Sequence, residues 1–240
     1  KYANNLNLNV TGVCFHVGSG CYDATQYYRA LEQSREVFNI AKKVGYKFSM
    51  LDIGGGFPGY RDDNSQQLIA NISEQVRLGV TDFFSNDYYI EGYHGDSDES
   101  RPFLKIIAEP GRFFVQSSHT LLVNVIGRKV KNTPDGKTFC YYMNDGIYGS
   151  FNCIMFDYAK PSFQPLEVEK YKDTPSLKSC IFGYTCDSLD KLADNVELPE
   201  MNIGDWLLVK NFGAYTYSAS SQFNGFKGTE YFYYIEAGEP

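Results

Sequence analysis

An apolar run ends in three glycines in Met50-Leu51-Asp52-Ile53-Gly54-Gly55-Gly56-Phe57-Pro58-Gly59. Without side chains, glycines let the backbone approach a ligand closely, and their N–H groups can cradle an anion. A buried strand feeding such a loop is one way α/β proteins build phosphate sites. A plain tight turn is the other reading of the same residues. A second loop of this kind tips the balance. Leu104-Lys105-Ile106-Ile107-Ala108 runs into Glu109-Pro110-Gly111-Arg112, a carboxylate, a kinked turn, a glycine and a guanidinium at one strand terminus.

These loops need elements to hold them. Val10–Phe15 reads as a short buried strand ending at His16-Val17-Gly18-Ser19-Gly20. A helix is predicted from Asp23 or Ala24 to Val44, with Tyr27, Leu31, Val37, Phe38 and Ala41 as its apolar face. Phe48–Ile53 is the next strand, Ser65 to about Phe84 a second helix, Tyr88–Ser100 a polar loop and Phe103–Ala108 a third strand. Alternating strands and helices imply parallel pairing with right-handed crossovers. Residues 1–115 therefore read as the last βα units of a (β/α) barrel, whose closing loops are expected to form a phosphate site. After Arg112 the pattern becomes short β-branched and aromatic runs: Thr120–Val130, Thr138–Met143, Ser179–Phe182, Trp206–Val209 and Glu230–Ile235. Lys131–Gly136 is a hairpin loop by composition. The fold class expected is α/β plus all-β, with a β-domain over 116–240 and a boundary near 113–120.

Composition narrows the partners. A net charge of -7 and a pI near 5.0 argue against a nucleic-acid backbone or an anionic membrane surface. No apolar run approaches the roughly 20 residues that span a bilayer. The six cysteines, at 14, 21, 140, 153, 180 and 186, contain no Cys-x-x-Cys pair. Free thiols in a reducing cytosol are the better reading than a disulfide frame or a zinc site, so a cytoplasmic location and no metal are expected. Tyr2–Leu8 reads as the tail of a helix, and the chain opens on Lys1, so an N-terminal part is expected to be missing.

Seven strings carry a resemblance. They are Phe15-His16-Val17-Gly18-Ser19-Gly20-Cys21, Asp52–Gly59, Ala108–Arg112, Asn144-Asp145-Gly146-Ile147-Tyr148-Gly149-Ser150-Phe151-Asn152, Thr185-Cys186-Asp187-Ser188-Leu189-Asp190, Gly213-Ala214-Tyr215-Thr216 and Phe223-Asn224-Gly225-Phe226. In order and across nearly the whole chain, they resemble the fold-III pyridoxal-phosphate-dependent decarboxylases, in their eukaryotic ornithine-decarboxylase branch. The family fold is an alanine-racemase-like (β/α)8 barrel followed by a β-domain. The lysine that bonds the cofactor lies on an early barrel strand of that family, and no position here matches it.

The resemblance implies roles. Pyridoxal phosphate absorbs the electrons left by decarboxylation if its ring nitrogen stays protonated, and a carboxylate beside that nitrogen favours the protonated form. Glu109 resembles that carboxylate, although an isolated Glu-Pro-Gly-Arg would read as a surface or capping glutamate. His16 resembles the imidazole against the ring face; a lone strand-end histidine is more often a satisfied polar group. Ser19, Gly56, Gly111, Arg112 and Tyr215 match the phosphate clamp, with Gly54 and Gly55 shaping its loop. Cys186 resembles the proton donor to the substrate α-carbon, whereas most free cysteines are small buried hydrophobes. Asp157 and Asp187 match the pair that receives the distal ammonium of a diamino acid, L-ornithine. Phe156 is expected to line that pocket, and Phe223 to pack near the cofactor and the substrate arm. A homodimer with shared active sites and an antizyme-like regulator are the implied partners, and putrescine, CO2 and polyamine biosynthesis the implied products and context.

Departures and competitors remain. The family usually reads Gly-Pro-Thr-Cys-Asp-Gly-Leu-Asp; here Tyr184 replaces the proline and Ser188 the glycine, and Tyr158 follows Asp157 where histidine is common. A catalytically inactive antizyme-inhibitor-like homologue, or a decarboxylase of lysine, arginine or diaminopimelate, are the alternatives to an ornithine enzyme.

Overall fold

A computed structural model describes residues 2–60, 62–90, 100–134 and 136–234. Its internal contacts divide the chain into two compact units, Lys1–Val115 and Gln116–Pro240.

The first unit opens with a short helix, α1 (Tyr2–Asn5), and then runs β1 (Gly12–Cys14), α2 (Thr25–Lys43), β2 (Met50–Asp52), α3 (Asp63–Phe83), β3 (Lys105–Ile107) and α4 (Gly111–Val115). The three strands form one parallel sheet in the order β1-β2-β3, with Val13 opposite Leu51 and Leu51 opposite Ile106. Tyr27, Leu31, Ser34, Phe38 and Ala41 are buried along α2, at the spacing that keeps one helix face inward. Val37 departs from the expected face. It is 44% exposed, because the position before Phe38 points about 100° away from the buried stripe. Asp62 caps α3 by accepting from the Ser65 N–H at 2.7 Å, and Gly79 lets Leu31 of α2 pack against the α3 backbone. Leu31, Phe38, Leu51, Ile53, Val80, Phe84, Ile90 and Leu104 form the core. Most of the acidic stretch after Tyr88, residues 91–99, lies outside the described residues.

The second unit is a six-stranded mixed sheet in the order β6-β9-β4-β5-β7-β8. Its strands are β4 (Leu121–Thr133), β5 (Gly136–Met143), β6 (Gln164–Pro165), β7 (Leu177–Phe182), β8 (Lys191–Leu198) and β9 (Trp206–Val209), with one short helix, α5 (Cys153–Phe156). β4 and β5 form the expected hairpin, closing at Thr133 opposite Gly136. The long β4 changes partner along its length: Leu121–Asn124 pair with β9 and Val125–Thr133 with β5, the latter ladder shifting register between Val125 and Gly127. β5 and β7 are parallel. Parallel neighbours need a crossover, and residues 144–176 supply it, carrying Phe156 and Asp157.

Two expectations change here. Lys191–Leu198 forms a strand that charge hides in the sequence, and residues 230–234 form none. Instead Tyr231 packs its ring on Tyr217 and His119, with centroids 4.7 and 5.9 Å apart; Ile235 lies outside the described residues. All six cysteines are free, and among the described residues no helix is long and apolar enough to cross a membrane.

Candidate active site

In the first unit the ends of β1, β2 and β3 bring three loops together. The Ile53 N–H donates to the Ile107 carbonyl, and the Glu109 N–H to the Gly54 carbonyl at 2.7 Å. Asp52 is buried and accepts from the Gly54 N–H at 2.8 Å, which turns the backbone sharply out of β2. A Cβ on Gly54 would lie 2.0 Å from the Phe15 carbonyl oxygen, and one on Gly55 2.8 Å from His16 Nε2 and 2.9 Å from the Glu109 carbonyl. Gly56 has φ +99°, and a Cβ there would lie 2.7 Å from the Gly18 carbonyl. The glycines are thus required by contact and by conformation. Tyr27 donates to the Gly55 carbonyl at 2.8 Å from within the core, tying α2 to the loop.

Polar side chains converge on the same loops. Arg112 Nη2 donates to Ser19 Oγ at 3.0 Å, joining the loop after β1 to the helix after β3. His16 Nδ1 accepts from the Gly18 N–H at 2.9 Å, which fixes the ring and leaves any imidazole proton on Nε2. Nε2 is the atom nearest a side chain at Gly55. Glu109 lies with Asp52 and Cys14 in a cluster whose ligand atoms are all within 4.8 Å of one another. Desolvation, followed by the Asp52 and Glu109 charges, pushes the Cys14 thiol up, so it stays protonated beside them. Gly111 opens α4.

In the second unit the crossover and the loop after β7 are sewn together by a buried carboxylate. Asp190, only 1% exposed, accepts from the Ile147 N–H at 2.9 Å, the Thr185 N–H at 2.9 Å and the Thr185 hydroxyl at 2.8 Å. Asp145 likewise accepts from the Gly146 and Ser150 N–H groups and from the Thr229 hydroxyl. The Cys186-Asp187 loop hangs from this brace with Cys186 exposed. Asp187 accepts from the Leu189 N–H at 2.9 Å through Oδ1 and from the Tyr148 hydroxyl through Oδ2. Tyr148 in turn stacks on Phe223, centroids 4.1 Å apart. Asp157 closes α5, its N–H donating to the Cys153 carbonyl at 2.9 Å, while Phe156 is 71% exposed beside it. Tyr215 is half-exposed with φ +55°.

The first unit therefore joins Ser19 with Arg112 and sets His16 and Glu109 against the glycine loop; the second joins Asp187 to Phe223 through Tyr148. Tyr148, Asp190 and Asp52 were not singled out from sequence. Asp52 had a signal, a carboxylate at a strand end two residues before a glycine. Tyr148 and Asp190 had none beyond lying in matching strings.

The Leu189 N–H and then the Tyr148 hydroxyl hold Asp187 below the usual carboxylate range. Asp187 thus keeps its charge down through the ordinary carboxylate pKa and loses it only at lower pH. The stability this contributes is present above the unfolded carboxylate pKa and is lost as pH falls through the folded one. Tyr148→Phe keeps the ring stack but removes one donor. It is expected to move the titration of Asp187, followed by NMR, to higher pH. An unmoved titration would show that the phenol does not tune this carboxylate.

Residues 1–116 match the family model described as pyridoxal-dependent decarboxylase, pyridoxal binding domain. The chain is 44% identical over 235 residues to antizyme inhibitor 2 of Xenopus laevis, covering 95% of this chain and 48% of that one. It is 41% identical over 242 residues to ornithine decarboxylase of Cricetulus griseus, covering 96% and 49%. Among solved structures it resembles the arginine decarboxylase of Paramecium bursaria Chlorella virus bound to agmatine. That likeness has a TM-score of 0.79 at 36% identity, covering 95% of this chain and 55% of that one. The chain spans about half the length of the curated relatives it matches. Its parallel sheet with flanking helices is the barrel part of that fold and its mixed sheet the β-domain. With the family model over the glycine loops and ornithine decarboxylases alike over 96% of its length, this chain belongs to the ornithine-decarboxylase-like, fold-III pyridoxal-phosphate-dependent decarboxylases.

Proposed function

We propose that the whole protein is an L-ornithine decarboxylase, releasing CO2 and putrescine at the head of polyamine biosynthesis. The observation that carries this reading is Asp187: a carboxylate held charged by two donors, one residue from an exposed thiol. An ionised, orientated carboxylate suits the distal ammonium of a diamino acid, and an adjacent thiol suits proton delivery at its other end.

The family's cofactor is pyridoxal phosphate, and the first unit's residues fit it. The fit rests on the Ser19–Arg112 pair, a hydroxyl and a guanidinium joined at 3.0 Å beside the glycine loop, the donor chemistry that phosphate oxygens take. Ser19, Gly56, Gly111 and Arg112, with Tyr215, would hold the phosphate; His16 would lie against the ring and Glu109 at its nitrogen. When bound, the cofactor supplies a sink for the electrons freed as the α-carboxylate leaves. Glu109 would keep a proton at the ring nitrogen, and the glycine loop would leave the phosphate free of side-chain crowding. Asp157 and Asp187 receive the distal ammonium, Phe156 and Phe223 enclose the methylene chain, and Cys186 returns a proton to the α-carbon. The active form is a homodimer in the cytoplasm, open to an antizyme-like regulator.

Whole protein with cofactor is assayed on ornithine, lysine, arginine and diaminopimelate. A kcat/KM for ornithine at least about tenfold above the rest is expected, since one methylene in a fitted pocket is worth about 10–200-fold. A preference for any other of the four rejects the specificity. A second reading, a non-catalytic antizyme-inhibitor-like protein, is favoured by the 44% identity to the Xenopus laevis antizyme inhibitor. The intact Thr185-Cys186-Asp187 and Gly213-Ala214-Tyr215-Thr216 strings weigh against it. No CO2 release from any of the four substrates would decide for it.

A further inference from the structure

Tyr184, which stands where the family pattern has proline, falls on the loop that carries Cys186 and Asp187. Its ring lies 4.1 Å from that of Phe226, centroid to centroid, at an interplanar angle of 52°. At its other end the phenol covers the crossover turn, since a Cβ on Gly149 would lie 3.1 Å from the Tyr184 hydroxyl oxygen. The side chain thus bridges three segments: its own loop, the turn at Gly149, and the stretch that contains Phe223. Desolvation, ahead of the Asp145 and Asp190 charges, pushes the phenol up to about 12, so it packs as a neutral ring across the working pH range.

The stretch from Ser221 to Phe226 needs such an anchor. Asn224 and Gly225 turn it through two successive positive φ values, 56° and 75°, and its own backbone bonds, Gly225 to Gln222 and Phe226 to Phe223, are local. Its first half is gripped by Tyr148, whose ring stacks on Phe223 and whose carbonyl accepts from the Ser221 N–H and hydroxyl. Its second half is gripped by Tyr184 through Phe226. Both tyrosines lead to Asp187, one by a hydrogen bond and the other along the loop. Such ring pairs stabilise beyond their buried area.

We propose that Tyr184 is a positioning residue: through Phe226 it fixes Phe223 relative to Asp187, so the proline-to-tyrosine departure sets how closely this chain's pocket measures the length of a basic amino acid. The selectivity claim rests on the ornithine reading above; the clamp itself rests on the ring contacts alone. A rigid apolar wall discriminates one methylene by about 10–200-fold, and a wall free to shift forfeits much of that.

The test is a double-mutant cycle in whole holoenzyme, with Tyr184→Leu, Phe226→Leu, the pair combined, and Tyr184→Phe as the variant that keeps the ring. Two quantities are read: the ratio of kcat/KM for ornithine over lysine, and Tm. Each single leucine variant is expected to lower the ratio about tenfold, mainly through KM for ornithine, with the combined variant no lower and Tyr184→Phe near wild type. The Tm losses of the singles should exceed, when added, the loss in the combined variant. Independent, additive effects on Tm would overturn the clamp, and an unchanged ratio in Tyr184→Leu would overturn its role in selectivity. Wild type inactive on both substrates would reject the ornithine reading and the selectivity claim together, while the Tm cycle still decides the clamp.

Discussion

Cys186→Ala is expected to slow ornithine turnover by about 100-fold or more while cofactor content and affinity stay at wild-type values. The loop has little reason to collapse. Asp190 holds it through both the backbone and the hydroxyl of Thr185, and the Cys186 side chain is exposed, so losing its sulfur costs no core packing. On the proposed reading, what is lost is a proton donor held at one place. Protonation then depends on water or a neighbouring group, and some of it reaches the wrong carbon. An aldehyde should appear in place of part of the putrescine, in proportion to the cofactor consumed. Product analysis separates this from a folding defect, which would lower total product without changing its identity. Normal turnover with clean putrescine would remove Cys186 from the mechanism.

The second large effect is a recovery. Glu109→Ala and Cys186→Ala are each expected to be nearly inactive, the first for want of a carboxylate at the ring nitrogen and the second for want of the proton donor. If the active site is shared across a two-fold dimer, with Glu109 from one chain and Cys186 from the other, mixing them restores sites. Random re-pairing makes half of the dimers mixed, and each mixed dimer holds one site free of both lesions. Activity should return to about a quarter of wild type in that statistical limit. Recovery should fall on dilution if the interface is weak. No recovery, in a mixture where a labelled partner proves subunit exchange, would place the site within one chain.

Much of this molecule was legible in the order of its residues, because local forces settle it. The buried stripe of α2 follows from helical spacing, and only Val37 was misplaced, by one position. The glycine loop was legible because three successive residues without Cβ atoms after a strand mark a backbone that takes positive φ or passes close to its neighbours, and the contacts at Gly54, Gly55 and Gly56 show why each is glycine. β8 was not legible. Asp194, Asn195 and Glu197 make Lys191–Leu198 look like a loop, and pairing with β7 in an edge position is what makes it a strand. The aromatic run after Glu230 erred in the other direction: β-propensity without a neighbouring strand to bond leaves Tyr231 packed on rings. The site shows the same division. Its residue types and order were in the sequence. That Tyr148 holds Asp187, and that Asp190, 43 residues beyond Ile147, ties the crossover to the Cys186 loop, was decided by tertiary structure alone. Hydrogen bonds between distant segments leave no period or spacing in the chain, and they exist only once the parallel β5–β7 pair brings its crossover and the following loop to one end of the sheet.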